Sequence, residues 1–242
     1  MKKYKIFFLH GWLFDSRIWF GFNKTIPEKY ESILIDLPGY GGNKNKTLSP
    51  INYCKEVFEN LSSPTIIIGW SFGGLLALLG LSENYKNIEK IILINSHPYL
   101  ISNDQLRNTI SSKSINNLKD NLILNREEAI KKFFFECVKS SSKEVSDYRL
   151  LIKKFKLSSI PNNDILINGL NNISNIDLFN DLMNSKKEIL IIQGGKDKIL
   201  GAASFTKLKE NKHIKLCVLD DVPHIPFISF KKEIYNVIEK FI

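Results

Sequence analysis

Thr65-Ile66-Ile67-Ile68-Gly69-Trp70-Ser71-Phe72-Gly73-Gly74 decides the fold of this 242-residue chain. The β-branched run 65–68 reads as a buried parallel strand. The small, apolar stretch 73–81 reads as a helix. Between them, Gly69-x-Ser71-x-Gly73 has the spacing of a nucleophile elbow. In such an elbow a serine sits on a sharp strand-to-helix turn and its hydroxyl is pushed out of the sheet. The turn strains the backbone. Side chains at 69 and 73 would clash with neighbouring elements, so both positions are glycine. The helix N-terminus turns N–H groups toward the same point, where they favour developing negative charge.

Short apolar runs recur on both sides of this stretch, at 6–9, 33–35, 91–94, 189–192 and 216–219. Helical patterns fall between most of them. That alternation implies a mostly parallel sheet flanked by helices on both faces, with a site beyond the carboxyl ends of the strands. The alternation breaks between about residues 97 and 183. There, 127–138 carries Ile130, Phe133, Phe134, Cys137 and Val138 at helical spacing, with Asn125 as N-cap and Glu127 and Glu128 in the first turn. Val145, Tyr148, Ile152 and Phe155 mark a second amphipathic helix, and Pro161 ends that region. The segment 98–183 reads as a helical lid inserted into a core made of 1–97 and 184–242. The other reading is a separate helical domain.

A hydrophobic content of 43% supplies one large core. No run of eighteen apolar residues predicts a membrane span. The start, 1–9, superficially resembles a signal peptide, but its apolar stretch is too short for one, and a buried first strand is expected. Cys54, Cys137 and Cys217 are scattered and odd in number, which predicts neither a disulfide framework nor a metal site and fits a reducing cytoplasm. The net charge of +9 suits an acidic partner, or reflects only the abundance of Lys, Asn and Ile. No nucleic-acid motif or arginine stripe accompanies it, so neither nucleic acid nor membrane is expected as a partner. The chain is expected to act as a monomer.

A serine nucleophile needs a base within hydrogen-bond reach and a group to orient that base. The chain has four histidines. His224 lies in Val222-Pro223-His224-Ile225-Pro226-Phe227, a loop after the last apolar run, and is the candidate base. His10, His97 and His213 sit elsewhere. Asp197, in Gly194-Gly195-Lys196-Asp197 after the run 189–192, is the candidate acid. Asp220 and Asp221 are nearer His224 in sequence, but they read as solvated turn residues. The order Ser71, Asp197, His224 is the one this strand–turn–helix architecture requires. An oxyanion hole needs two backbone donors. The N–H of Phe72 supplies one, and Leu9-His10-Gly11-Trp12 after the first strand supplies the other through the N–H of Trp12. The loop Asp36-Leu37-Pro38-Gly39-Tyr40-Gly41-Gly42 lacks the Lys-Ser/Thr of a phosphate loop and reads as a structural turn.

Together, His10-Gly11-Trp12, Asp36-x-Pro38-Gly39-x-Gly41, Gly69-Trp70-Ser71-Phe72-Gly73-Gly74, Gly195-x-Asp197 and His224-x-Pro226-Phe227-Ile228-Ser229 resemble α/β-hydrolases of the BioH type, the pimeloyl-[acyl-carrier protein] methyl ester esterases of biotin synthesis. Asn168-Gly169-Leu170 and Asp177-Leu178, leaving the lid, are also similar. The resemblance covers most of the chain and is strongest outside the lid. It implies an α/β-hydrolase fold, a Ser71–His224–Asp197 triad, no metal or organic cofactor, and an oxyanion hole at Trp12 and Phe72, which would also contact substrate. It implies a small acyl ester substrate carried on an acidic acyl-carrier protein. It also implies that Phe133, Phe134 and Cys137 lie where the family lines its acyl channel, although Phe133 and Phe134 serve equally as lid core. Two departures stand out. The family's leading antiparallel strands are expected to be shortened or absent. The lid arginines that grip the carrier are mostly lysines here, in a segment where Lys131, Lys132, Lys139, Lys143, Arg149, Lys153, Lys154 and Lys156 face only Glu136, Glu144 and Asp147. Related thioesterases, C–C hydrolases and menaquinone-pathway lyases share the same motifs, as would a non-catalytic receptor on this scaffold.

Overall fold

All six apolar runs become strands of one sheet: β1 (Tyr4–Leu9), β2 (Tyr30–Ile35), β3 (Thr65–Trp70), β4 (Ile88–Ile94), β5 (Glu188–Gly194) and β6 (Ile214–Leu219). The computed structural model describes residues 4–81, 85–101, 110–201 and 207–242. The strand order is β2-β1-β3-β4-β5-β6, and every neighbouring pair is parallel. Burial follows position in the sheet. Every residue of central β3 is buried, whereas edge strands β2 and β6 carry exposed residues such as Leu34 and Val218. Covering each fully buried Ile or Leu of β3, β4 and β5 contributes roughly 1.5–3 kcal/mol. The sheet is therefore anchored at its centre, where the elbow leaves it.

Helices supply the crossovers. Helix α1 (Pro50–Glu59) joins β2 to β3, with Pro50 at its first turn and the Ser49 hydroxyl accepting from Asn52 N–H. Helix α2 (Phe72–Ala77) leaves the elbow, and α8 (Lys231–Glu239) closes the chain against the sheet with Ile234 and Ile238 buried. Parallel register puts the strand ends level: Leu9 pairs with Gly69, Trp70 with Ile94, Ile94 with Ile192, and Gly194 with Leu219. The segments that follow β1, β3, β4, β5 and β6 thus emerge on one edge. Among the described residues no helix is long and apolar enough to cross a membrane.

Between β4 and β5 lie α3 (Ser112–Leu124), α4 (Arg126–Val138), α5 (Glu144–Lys154), α6 (Asn163–Asn175) and α7 (Phe179–Asn184). The first four stand over the strand ends. Helix α4 starts where its sequence signals place it, with Asn125 Oδ1 accepting from Glu128 N–H at 3.4 Å. Helix α5 keeps most of the expected face, with Phe155 buried at its end and Tyr148 and Ile152 partly buried against the core, but Val145 is 55% exposed and Asp147 and Leu151 are the buried positions within the helix. Helix α7 sides with the core rather than the lid. Asn211 Nδ2 donates to the carbonyls of Leu182, Met183 and Ser185, and Leu178 N–H donates to Pro98 O. The chain therefore rejoins the core at α7, ahead of the boundary at 184 that the sequence suggests.

Candidate active site

Ser71 follows β3 directly and holds φ 53°, ψ −122°, a region that costs a non-glycine residue about 1–3 kcal/mol. Hydrogen bonds on both sides hold it there. Ser71 N–H donates to Ile94 O at 3.1 Å, and Ser71 O accepts from Gly74 N–H, Leu75 N–H and Ser96 Oγ. The two elbow glycines are needed for close approach. A Cβ at Gly69 would lie 2.5 Å from Gly73 O, and one at Gly73 would lie 2.2 Å from Leu9 O. Both distances are shorter than any contact a real side chain makes, so the turn closes only without side chains at these positions.

His224 stands between Ser71 and Asp197. Its Nε2 lies 3.0 Å from Ser71 Oγ, and its Nδ1 lies 2.8 Å from Asp197 Oδ2. A carboxylate only accepts, so Nδ1 carries the proton and Nε2 is left to accept from the serine hydroxyl. The other Asp197 oxygen, Oδ1, accepts from the N–H groups of Ile199 and Leu200 at 2.8 and 3.0 Å. Those bonds fix the carboxylate's orientation without competing for the imidazole. All three side chains are shielded, with His224 1% and Asp197 4% exposed. Low local dielectric strengthens each bond in such a chain. Asp220 and Asp221 are exposed turn residues, and Asp221 accepts from Ser142 of the lid at 2.6 Å.

The loop after β1 runs against the elbow. A Cβ at Gly11 would lie 3.2 Å from Ser71 Cβ and 2.8 Å from the Trp70 ring. This closeness places the Gly11–Trp12 backbone beside the nucleophile. His10, fully buried, braces the loop from behind. Its Nε2 accepts from Leu37 N–H at 3.0 Å, which leaves Nδ1 to donate to Gly11 O at 2.9 Å. The Asp36 turn is itself closed by its carboxylate, which accepts from Ser16 N–H and Gly42 N–H, both at 2.7 Å. Burial pushes Asp36 up, but these backbone donors outweigh it and hold the group below the usual carboxylate range.

A cavity of about 630 Å³ opens from Ser71 under the lid. Its lining mixes apolar Trp12, Leu100, Ile115, Phe133 and Leu170 with polar Ser114 and Asn121 of α3 and with the charged side chains of Glu128, Lys132, Glu136 and Lys198. The Trp12 indole donates to Leu166 O at 2.8 Å, and its ring meets Phe133 edge-on at 4.9 Å.

The structure brings together Ser71, His224, Asp197, Trp12, Phe72 and Phe133. It does not bring Phe134 and Cys137 to the cavity. Phe134 is 1% exposed and stacks on Phe14 at 5.2 Å, inside the seam between lid and core. One residue along α4 is a rotation of about 100°, enough to send neighbouring phenylalanines to different surfaces. Cys137 is fully buried behind the relay. Burial first, then the nearby Asp197 charge, pushes its thiol well up, and its carbonyl accepts from Ile225 N–H at 3.0 Å. The Phe72 ring is also fully buried and does not line the cavity.

Sequence reasoning missed Trp70, Asn95 and Ser96. Trp70 supports the base: its indole N–H donates to His224 O at 2.7 Å, and the rings lie 5.3 Å apart. The signal available for Asn95-Ser96 was position alone, since they follow an apolar run at the edge where every other motif emerges.

Comparison with known proteins agrees with this fold. A family model described as alpha/beta hydrolase fold matches residues 4–230. A pimeloyl-[acyl-carrier protein] methyl ester esterase of Nitrosospira multiformis is 27% identical, with 95% of this chain and 91% of that protein covered. The protein of the same name from Legionella pneumophila is 26% identical, with 96% and 92% covered. Among solved structures, an esterase from Exiguobacterium antarcticum superimposes with TM-score 0.82 at 20% identity, over 98% of this chain and 91% of the other. A bromoperoxidase from Bacillus anthracis gives 0.84 at 18% identity, over 100% and 92%. At these identities the structural likenesses speak for the fold.

Proposed function

Since the chain belongs to the α/β-hydrolase fold family, we propose that it is a serine carboxylesterase that cleaves the methyl ester of an acyl chain carried on an acyl-carrier protein, a reaction of biotin synthesis. The observation that carries this reading is the relay itself, with one imidazole 3.0 Å from a strained serine hydroxyl and 2.8 Å from a buried carboxylate. His224 Nε2 takes the hydroxyl proton as Ser71 Oγ attacks the ester carbonyl. Asp197 holds the tautomer and stabilises the imidazolium. The N–H groups of Trp12 and Phe72 hold the oxyanion; losing one such donor typically costs about 3 kcal/mol of transition-state stabilisation. His224 returns the proton to the departing alcohol, leaving an acyl-enzyme. Water, activated by the same imidazole, then releases the acid and restores the serine.

Three further features support the substrate. The apolar part of the cavity lining suits an alkyl chain, and the cavity of about 630 Å³ has room for one. The lid's outer surface is basic, with Lys131, Lys132, Lys143, Arg149, Lys153 and Lys156 exposed. Asp147, one of the few acids in that segment, is turned inward and bound by Ser229 Oγ at 2.6 Å, so it does not offset that charge. An acidic carrier would be steered to such a face at low ionic strength. The two relatives are themselves named as methyl ester esterases of a pimeloyl-[acyl-carrier protein].

The test is a panel of acyl methyl esters, acyl thioesters and β-diketones, free and carrier-bound, together with rescue of a biotin auxotroph lacking its methyl ester esterase. Carrier-bound methyl ester hydrolysed fastest, with growth restored, is the expected outcome. Preference for thioester or carbon–carbon cleavage would replace the methyl ester assignment while leaving the serine mechanism in place.

A further inference from the structure

One buried polar side chain at the same strand edge has no part in the chemistry above. Asn95 directly follows β4, is fully buried, and holds a left-handed φ of 45°. Its backbone N–H donates to Ile192 O at 2.8 Å. Its side-chain amide makes three bonds to main chain far away in sequence. Oδ1 accepts from Gly194 N–H at 2.6 Å, and Nδ2 donates to Pro223 O at 2.8 Å and to His224 O at 3.0 Å. The amide has one possible orientation, because a backbone N–H only donates and a carbonyl only accepts.

Those partners belong to the two segments that must be held at a fixed separation. Gly194 ends β5 and leads into the Gly195-Lys196-Asp197 turn. Pro223 and His224 form the loop of the base. The next residue, Ser96, reaches the third segment, donating from Oγ to Ser71 O at 2.7 Å. We propose that Asn95 is a positioning residue: one planar amide, inserted between the acid-bearing and base-bearing segments, sets the His224–Asp197 distance on which proton transfer depends. The inference rests on the serine-hydrolase reading and adds to it a device outside the triad. Misplacement of a catalytic group by about 1 Å costs on the order of 100-fold in rate, so a tie made of three bonds at 2.6–3.0 Å governs turnover rather than binding.

The competing account is that asparagine is there only because it tolerates positive φ. Two substitutions separate the accounts. Asn95→Gly satisfies the backbone and removes the tie. Asn95→Asp keeps the shape, the φ preference and the acceptor for Gly194, but sets an oxygen against the two carbonyls. We expect both to lower kcat by about 10- to 100-fold with KM within about twofold. We also expect both to shift and broaden the far-downfield proton resonance of the His224 Nδ1–H···Asp197 bond; the main-chain groups left without partners lower the thermal midpoint as well, so kcat and the resonance are read well below it. Wild-type kcat and an unchanged resonance in Asn95→Gly would overturn the proposal. If either variant fails to fold, the other carries the test. The resonance is read in the resting protein without substrate, so it decides the role of Asn95 even if no ester in the panel is turned over. That failure would count against the esterase reading alone.

Discussion

The rim of the sheet and the lid above it are held by different forces. At the rim, buried polar side chains bind main chain through directional bonds: His10 to Leu37 and Gly11, Trp70 and Asn95 to the His224 carbonyl, Ser96 to the Ser71 carbonyl. The lid meets the core mostly through rings, with a few hydrogen bonds beside them, such as Trp12 indole to Leu166 O, Ile225 N–H to Cys137 O and Ser229 Oγ to Asp147. Phe14 stacks on Phe134 at 5.2 Å and meets Phe155 edge-on at 5.1 Å, and Trp12 meets Phe133 at 4.9 Å. Directional bonds specify distances to a few tenths of an ångström, whereas apolar contact specifies volume. The rim is thus built to hold a reaction geometry, and the lid to shape the space above it.

If that division is correct, substitutions at the rim change turnover and those in the lid change stability or apparent affinity. The largest effect is expected for Asp197→Asn, which presents an amide to His224 Nδ1 and favours the wrong tautomer. The expected fall in kcat is about 10⁴-fold with KM little altered, read by steady-state kinetics on any ester the protein accepts. Phe134→Ala comes next. It empties a packed site between lid and core and should cost about 3–5 kcal/mol in denaturant unfolding, with KM unchanged in protein that remains folded. A large KM effect with little loss of stability would mean that Phe134 faces substrate after all.

Acid should loosen the rim before it touches the lid's ring contacts. Burial lowers His97 to about 4, and burial also lowers His10. The unfolded chain takes up these protons as pH falls through about 6.5, but folded His97 does so only near 4. Stability is therefore fully present above about 6.5 and declines between there and about 4, His97 alone contributing on the order of 3 kcal/mol by the lower limit. Unfolding free energies measured at pH 7.5 and 4.5 check the sign, and a flat profile would contradict it. The smallest effect is expected for Phe133→Ala. Loss of one cavity wall should raise KM for long apolar esters about tenfold while kcat stays within about threefold.

The same contrast explains what could be read in the sequence. The sheet was legible because 65–68 and its counterparts are unbroken apolar runs, β-branched or aliphatic at the centre of the sheet where both faces are covered. The meeting of Ser71, Asp197 and His224 was legible because each follows such a run and the chain has few histidines. The lid was less so. Helix α3 buries only Ile115 and Leu122 among Ser, Asn and Lys, so its periodicity is faint. In α4, spacing groups Phe133, Phe134 and Cys137 on one broad face, but only the partner helices decide which residue meets the cavity. Asn95 was invisible for another reason. Its partners lie 99, 128 and 129 residues away, and no local pattern encodes a bond across that span.

The most direct test of the central claim is a structure of the protein inactivated by an alkyl fluorophosphonate, with Ser71→Ala as control. The account predicts a covalent bond from Ser71 Oγ to phosphorus, one phosphoryl oxygen accepting from the N–H groups of both Trp12 and Phe72, the alkyl group lying against Phe133, and no labelling of the control. An adduct on another residue, or a phosphoryl oxygen turned away from those two donors, would contradict it.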